Sequence, residues 1–313
     1  MTGFRSCFAT TLAGAAVWLS CASPAHGGDL VLTDFEPSQL TSEYGPVKRA
    51  SLQTPGLALV DPHMLAFHSP GSMVHFRFAE SVWIIAYETE IQDANGQPPA
   101  ANLLCHTFFG TAHVEQLKGP DGKAISQEMK GLFSDAFTRS VRLPDGFGIH
   151  LTAGDQMEWM PMFNNRTDDD ARVAMRATIH FIREADLHKP LQPVYSVLQS
   201  VSMPHLFYVR PGRHEQQATF DLPFNGTIRL IGAHIHPYAK SVSLFNTTRG
   251  ESVWNGMARE DSSGRTVGMA LYSDTRGYPV HAGDVFKVSS VYDNPNSFPI
   301  DAMAGVFLVY TKD

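Results

Sequence analysis

Short segments in which apolar and polar residues alternate run through most of this chain. The clearest is Thr227–His236, where Ile228, Leu230, Gly232, His234 and His236 share one face of a predicted strand. Segments of similar character are Val82–Ile91, Arg172–Arg183, Val285–Tyr292 and Ala304–Thr311. Helical periodicity is scarce, and 25 glycines and 20 prolines fall mainly between the segments. The pattern predicts an all-β protein built from sandwiches or barrels.

Two stretches of the sequence share a spacing that indicates an internal repeat. The run that begins at Ala153-Gly154-Asp155 has a counterpart that begins at Ala282-Gly283-Asp284. In each run an asparagine, Asn165 or Asn294, follows ten residues after the aspartate without a gap. Gly-Asp is a common turn dipeptide, so chance similarity is the alternative. A true repeat would mean two copies of one β domain.

Length and repeat together predict two tandem antiparallel β-sandwich domains of the jelly-roll kind. At about 100–200 residues per domain, a chain of 313 residues is expected to hold two. We predict an N-terminal sandwich over residues 28–190 and a C-terminal sandwich over residues 191–313. The linker between them is expected within Leu187–Pro204, which carries three prolines.

Residues 1–27 resemble a secretory signal peptide, with Arg5 before an apolar segment at Phe8–Leu19 and small residues after it. The apolar segment is too short for a spanning helix, and no later run reaches about 18 apolar residues. We therefore expect a secreted or periplasmic protein with no membrane span; an uncleaved anchor is the alternative. Cleavage would remove Cys7 and Cys21 and leave Cys105 as the one thiol.

Composition excludes several classes of function. The formal net charge is −7, which argues against a nucleic-acid partner because such proteins usually carry a basic stripe. No Ser-His-Asp order, glycine-rich phosphate loop or zinc-protease motif is visible.

The strongest chemical signal is the His234-Ile235-His236 sequence on a predicted strand. Residues at i and i+2 point to the same face, so the two imidazoles can converge on a Cu, Zn, Fe or Ni ion. An ordinary pair of core or surface histidines is the alternative. Met303 precedes the last predicted strand and could add a soft thioether, which selects copper, or it could simply pack in the core. Cys105 could be a buried small hydrophobe, a redox liability or a metal ligand.

Residues 207–313 resemble the C-terminal domain of the copper type II, ascorbate-dependent monooxygenases, the family of peptidylglycine α-hydroxylating and dopamine β-monooxygenases. The stretches that carry the resemblance are Val209-Arg210-Pro211-Gly212, His234-Ile235-His236 with Lys240-Ser241-Val242, Ala282-Gly283-Asp284 with Val291-Tyr292-Asp293-Asn294, and Asp301-Ala302-Met303. The resemblance implies that His234, His236 and Met303 bind the copper at which oxygen is activated.

The same resemblance implies a second copper on the first of two sandwiches, but the residues there depart from the family. An adjacent His-His pair is replaced by Cys105-His106, and no histidine occupies the third position, where Met162 or Met160 lies nearest. A Cys/His/Met set could still hold Cu(I). Equally, this first site could be lost, leaving one copper. We favour loss or alteration over an intact electron-transfer copper.

The implied activity is hydroxylation of an aliphatic C–H bond by O₂, with ascorbate or another reductant as co-substrate and a small molecule or peptide as substrate. The first alternative is a non-catalytic exported copper-binding protein used for storage, delivery or sensing. A sugar- or protein-binding sandwich with an incidental metal site is a third possibility.

Overall fold

The computed structural model describes residues 30–63, 72–99, 103–112, 115–118, 124–202, 205–262 and 266–313. The predicted signal peptide lies outside the described residues. Within them the chain is nearly all β, with one short 3-10 turn at Glu184–Asp186. No helix in these ranges has the length and apolarity needed to span a membrane.

Fifteen of the described strands lie in the N-terminal part of the chain. They are β1 (Leu30–Leu32), β2 (Glu36–Pro37), β3 (Lys48–Gln53), β4 (Ala58–Val60), β5 (Val74–Phe78), β6 (Val82–Asp93), β7 (Leu104–Thr111), β8 (Glu115–Lys118), β9 (Ala124–Met129), β10 (Gly131–Asp135), β11 (Ser140–Arg142), β12 (Phe147–Leu151), β13 (Met157–Phe163), β14 (Ala171–Arg183) and β15 (Gln192–Pro193).

The C-terminal part of the chain contributes eleven more strands. They are β16 (Tyr195–Ser200), β17 (Phe207–Val209), β18 (Gly212–Leu222), β19 (Gly226–Ile235), β20 (Ala239–Asn246), β21 (Glu251–Glu260), β22 (Thr266–Met269), β23 (Tyr272–Val280), β24 (Asp284–Asn294), β25 (Ile300–Ala302) and β26 (Ala304–Lys312).

The strands form two sandwiches in tandem, which confirms the predicted all-β, jelly-roll-like fold. In the first, a sheet in the order β1-β5-β13-β7-β10 faces one in the order β15-β12-β6-β14-β3-β2, with β11 on β6 and β4 on β14. In the second, the sheets run β23-β19-β26-β16-β9-β8 and β18-β24-β20-β21-β22, beside a small β17-β25 pair. All pairings are antiparallel except β1-β5 and β12-β15. Fully buried aromatic side chains such as Trp159 and Phe286 fill the two cores, and each contributes about 1.5–3 kcal/mol through apolar burial.

The β8-β9 hairpin belongs to the second sandwich, although it precedes much of the first in sequence. Strand β9 pairs with β16, with Ser196 opposite Met129. The buried carboxylate of Glu128 accepts hydrogen bonds from Tyr310 and Lys312 at the C-terminal end of the chain. The chain enters the second sandwich for this hairpin, returns to the first at β10, and crosses for the last time between β15, which pairs with β12, and β16, which pairs with β26.

The two Gly-Asp turns found in the sequence have the same internal construction. Gly154 and Gly283 have φ values of 88° and 89°, in the left-handed region that glycine adopts without steric cost. Asn165 donates to the carbonyls of Val60 and Asp169 at 2.9 and 2.8 Å. Its counterpart Asn294 donates to the carbonyls of Val209 and Phe298 at 3.0 and 2.9 Å. The spacing that indicated a repeat therefore corresponds to a repeated hydrogen-bonding device.

The sheet that contains β19 and β26 is buried on both faces. On β26, Val306, Leu308 and Tyr310 pack in the second core, whereas Phe307 and Val309 join the core of the first sandwich. Such burial explains why β26 is almost continuously apolar rather than alternating. One face of this sheet therefore lines the seam between the two sandwiches.

A register irregularity in β19 corrects one detail of the predicted strand. The pairing shifts between Ile228 and Leu230, which places Ile228 in the second core and Leu230 in the first. Ile228 is therefore not on the face predicted for it, because a bulge reverses the alternation at that point. Ala233 and Ile235 face the second core, so the intervening His234 and the next histidine, His236, point across the seam.

Candidate metal site

Three metal-binding side chains from the two sandwiches meet at the seam. Cys105 lies on β7 of the first sandwich, His234 lies near the end of β19 in the second, and His236 follows that strand. The Cys105 Sγ atom is 3.8 Å from His234 Nε2 and 3.5 Å from His236 Nε2. Among the residues that the structure describes, this is the one group of three His, Cys, Asp or Glu side chains whose donor atoms lie within 4.8 Å of one another.

The sequence predicts two separate ligand sets, one on each sandwich, but the structure brings Cys105 of the first set against both histidines of the second. The spacing of the three donor atoms suits a single ion. With metal–sulfur and metal–nitrogen bonds of about 2.3 and 2.0 Å, S and N ligands lie about 3.5 Å apart in a tetrahedral site and about 3.7 Å apart in a trigonal one. Both sulfur–nitrogen distances are close to these values.

The chain turns sharply after His236, which fixes that residue at the end of the strand. Pro237 has no N–H to continue a ladder. Tyr238 has a φ of 70°, a left-handed conformation that costs a non-glycine residue about 1 kcal/mol or more. The His236 N–H donates to the Tyr292 hydroxyl at 3.0 Å, and that hydroxyl donates to the Met303 carbonyl at 2.6 Å. These bonds hold the His236 backbone in place.

The ring of His234 is oriented by a buried carboxylate of the first sandwich. Its Nδ1 lies 3.3 Å from Asp135 Oδ2. The other oxygen of Asp135 accepts from the backbone N–H groups of Phe137 and Thr138 at 2.9 and 2.7 Å, so the carboxylate is fixed by its own turn. When Nδ1–H donates to Asp135, Nε2 keeps its lone pair for a metal ion. Metal-binding histidines almost always have such a partner.

His236 has an equivalent partner in Asp301, whose Oδ2 lies 3.0 Å from His236 Nδ1. Arg166 of the first sandwich pairs with both oxygens of Asp301 through its two terminal nitrogens, and one of them is 2.9 Å from His236 Nδ1. The Asp301 carboxylate can only accept, so its hydrogen bond with His236 requires a proton on Nδ1, whereas the guanidinium can only donate and would need the Nδ1 lone pair. The tautomer that suits a metal site is the one in which His236 donates to Asp301 through Nδ1. Its Nε2 is then free to ligate beside Cys105.

The pKa values of these groups follow from their burial. Burial lowers the pKa of His236 to about 4, so this ring is neutral and ready to ligate at physiological pH. Burial, followed by the nearby carboxylate of Asp135, raises the pKa of the Cys105 thiol. Although burial acts in the opposite direction, hydrogen bonds from His236 and Arg166 hold the pKa of Asp301 well below its usual range. A thiolate at Cys105 therefore needs a cation beside it, which a bound metal ion would supply.

The remaining predicted ligands lie close by. His106 Nδ1 is 3.3 Å from Cys105 Sγ, and its ring centroid is 4.7 Å from that of His234. Met162 is buried on β13 in register with His106. Met303 is partly buried and directly precedes β26, whose first residue pairs with Ile235. Strand register therefore places the backbones of both methionines near those of the cluster residues.

A cavity of about 560 Å³ opens next to the cluster. Its lining residues are Leu104, Cys105, Ala136, Phe137, Asn164, Arg166, Thr167, Ile235, His236, Pro237, Asp261, Thr266 and Val267. This volume falls in the range of small-molecule sites. The buried Asn164 Oδ1 has no hydrogen-bond partner within the described residues, so it can accept one from a molecule in the cavity.

Sequence reasoning missed the roles of Asp135, Arg166 and Asp301. Asp301 lies in a stretch that resembles the copper enzymes, and Arg166 directly follows Asn165 of the repeat, so each is adjacent to a recognised motif. No pattern singles out Asp135, because its partner is 99 residues away.

The chain matches no family model and no curated protein. Among solved structures it is similar to N-glycanase F (PNGase F), with 12% identity and a TM-score of 0.37 over 84% of this chain and 96% of that one. It is also similar to the STIV MCP, with 8% identity and a TM-score of 0.37 over 84% and 97% of the two chains. Naturally occurring empty particles of cowpea mosaic virus show 11% identity and a TM-score of 0.35 over 96% of each chain. Similarity this distant assigns no function to the chain.

Proposed function

We propose that this protein binds a single copper ion through Cys105, His234 and His236. The observation that carries the proposal is the convergence of a thiol and two imidazole Nε2 atoms at 3.5 and 3.8 Å, with a carboxylate on each Nδ1. Thiolate and imidazole together suit copper and zinc. Structural zinc sites take four protein ligands, whereas a trigonal His₂Cys set with a weak methionine is typical of copper. Met303 is our candidate for that weak ligand.

The biological role that we infer is copper binding for storage, delivery or sensing in the periplasm or outside the cell. The predicted signal peptide at residues 1–27 supports export. A thiolate ligand supports binding over oxygen chemistry, since an oxidisable sulfur beside activated oxygen would be lost along the sulfenic to sulfonic series.

A monooxygenase is the second candidate, and the cavity beside His236 and Cys105 favours it. In this reading the chain is a divergent relative of the copper type II, ascorbate-dependent enzymes. The reaction would combine an aliphatic C–H bond, O₂, two electrons and two protons to give an alcohol and water, with ascorbate or another reductant supplying the electrons. The copper would supply the oxygen chemistry. The chain's own residues would bind the substrate in the cavity and keep the two imidazoles oriented through Asp135 and Asp301.

The test is metal analysis of the full chain after exposure to Cu(I) under reducing, oxygen-free conditions with zinc in competition. The proposal expects one copper per protein, which His236→Ala does not retain and Arg142→Gln retains in full. Equal retention by His236→Ala, or retention of zinc in preference to copper, would overturn it. Oxygen consumption by the loaded protein with ascorbate then separates the two roles, because only the enzyme consumes O₂ faster than the His236→Ala control.

A further inference from the structure

We propose that the metal ion acts as a clamp between the two sandwiches, so that metal loading and sandwich docking are one coupled equilibrium. The inference rests on the proposed copper site and concerns how that site is controlled. The ligands are divided between the sandwiches: Cys105 belongs to the first, whereas His234 and His236 belong to the second. Neither sandwich holds more than two of the three donor atoms.

The groups that orient the histidines are divided across the seam as well. His234 of the second sandwich is held by Asp135 of the first. Asp135 is fully buried and is itself fixed by two backbone N–H groups of its own turn, so it cannot follow His234 if the sandwiches separate. Docking of the first sandwich therefore sets the direction of the His234 ring.

His236 is also positioned by the first sandwich, but indirectly, through a carboxylate of its own sandwich. Asp301 lies on β25 of the second sandwich and contacts His236, and Arg166 of the first sandwich pairs with both oxygens of Asp301. Separation would leave Asp301 without its guanidinium and Arg166 without its carboxylate. Both positioning contacts across the seam thus come from the first sandwich and act on ligands of the second.

Aromatic side chains of the two sandwiches also pack against each other next to the cluster. Phe133 on β10 lies 5.6 Å from the ring of His234 and 5.8 Å from Phe307 on β26, measured between centroids. Phe133 and Cys105 lie on the paired strands β10 and β7, so a rigid-body separation that opens this contact also moves Cys105 away from the two histidines. By linkage, an ion that binds only the docked arrangement stabilises docking, and docking raises the affinity for the ion to the same extent.

Amide hydrogen exchange on the full chain tests the clamp, with metal-free protein compared with protein loaded with Cu(I). When free Cu(I) is 100 times its Kd, openings that release the ion become about 100-fold rarer. We expect exchange to slow to about that extent on both sides of the seam, in β10 and in the last residues of β19. The first residues of β21, which pair with the end of β20 farthest from His236, should keep their rate. Protection confined to one sandwich would overturn the clamp while leaving copper binding intact.

If the copper site itself does not exist, the result is different: no loaded state forms and no protection from exchange appears anywhere.

The positioning of His236 by Arg166 through Asp301 is tested with Arg166→Gln, which we expect to weaken Cu(I) binding about 10–100-fold and to shift the visible spectrum of the Co(II)-substituted protein. Arg166→Lys should restore part of the affinity because it keeps a cation beside Asp301. Arg142→Gln, at an exposed arginine that contacts Thr41 and Asp145 within the first sandwich, is the matched control. Wild-type affinity in Arg166→Gln would overturn the relation.

Discussion

Cys105 Sγ lies 3.5 Å from His236 Nε2, although 131 residues separate the two in sequence and they belong to different sandwiches. The contact places a soft thiol donor on a histidine pair that, taken alone, is an ordinary feature of a β-strand. It also makes the seam, rather than either sandwich, the unit that can bind a metal ion.

Replacing the sulfur tests that contact directly. Because a serine hydroxyl is a hard donor that stays protonated near neutral pH, Cys105→Ser is expected to reduce Cu(I) affinity at least about 100-fold. The substitution changes one buried atom, so the metal-free protein should lose no more than about 1–2 kcal/mol of unfolding free energy. Competition against a chelator of known affinity measures the first quantity and urea unfolding measures the second. Unchanged copper affinity in a folded Cys105→Ser protein would remove the thiol from the site.

A second substitution concerns Met303, the residue that directly precedes β26. Met303→Leu conserves volume and removes the thioether, so we expect Cu(I) affinity to fall about tenfold while zinc affinity stays the same, since a thioether selects copper. Met269→Leu, at a buried methionine of the second core, is the matched control. An equal effect of both variants on copper would mean that Met303 only packs.

The pair of Arg166 and Asp301 allows a double-mutant cycle on the metal-free protein. Asp301 is 8% exposed, so Asp301→Asn leaves the Arg166 guanidinium beside the seam without its anion and should cost about 3 kcal/mol of unfolding free energy. Arg166→Gln should cost a similar amount for the converse reason. The double variant is expected to cost clearly less than the sum, by about 1–3 kcal/mol, as measured by urea unfolding. Additive costs would show that the two charges do not depend on each other.

The sequence predicted the fold because that information is local. Alternation and turn residues identify strands such as Thr227–His236, which the structure has at Gly226–Ile235. The bulge before Leu230 was not predictable, since it depends on how β19 pairs with its neighbours, and it reverses the face of Ile228. Periodicity alone carries no information about pairing.

Only those parts of the site that lie close together in sequence could be predicted. His234 and His236 were found because two residues on one strand point the same way. Docking of the two sandwiches decides whether these histidines meet Cys105, and it also sets their contacts with the carboxylates of Asp135 and Asp301. No local sequence pattern encodes that docking. The sequence patterns therefore indicated ligands for two separate sites, whereas docking of the sandwiches brings Cys105, His234 and His236 into one cluster.

The repeated asparagines allow the duplication to be tested by stability. Asn165→Ala and Asn294→Ala each remove two side-chain hydrogen bonds to backbone carbonyls and one acceptor for a backbone N–H. Because both asparagines are buried, as are their partners Val60 and Val209, each variant should lose about 2–4 kcal/mol of unfolding free energy. Asn95→Ala, at an exposed turn, is the control and should change stability by less than about 0.5 kcal/mol. A large difference between the two buried asparagines would show that the turns are not equivalent.

The lowered pKa of His236 predicts how the metal-free protein responds to acid. The ring has an ordinary pKa of 6.5 when unfolded and one of about 4 when folded, so between these pH values the unfolded state binds more protons. Stability is therefore full above pH 6.5 and falls as the pH drops towards 4, by about 3 kcal/mol for this group. Urea unfolding of wild type and His236→Asn across pH 7.5 to 4 isolates the contribution of His236 to the pH dependence of stability, since both proteins keep the other titrating groups. The wild-type curve should fall more steeply in that window, and parallel curves would contradict a buried, neutral His236.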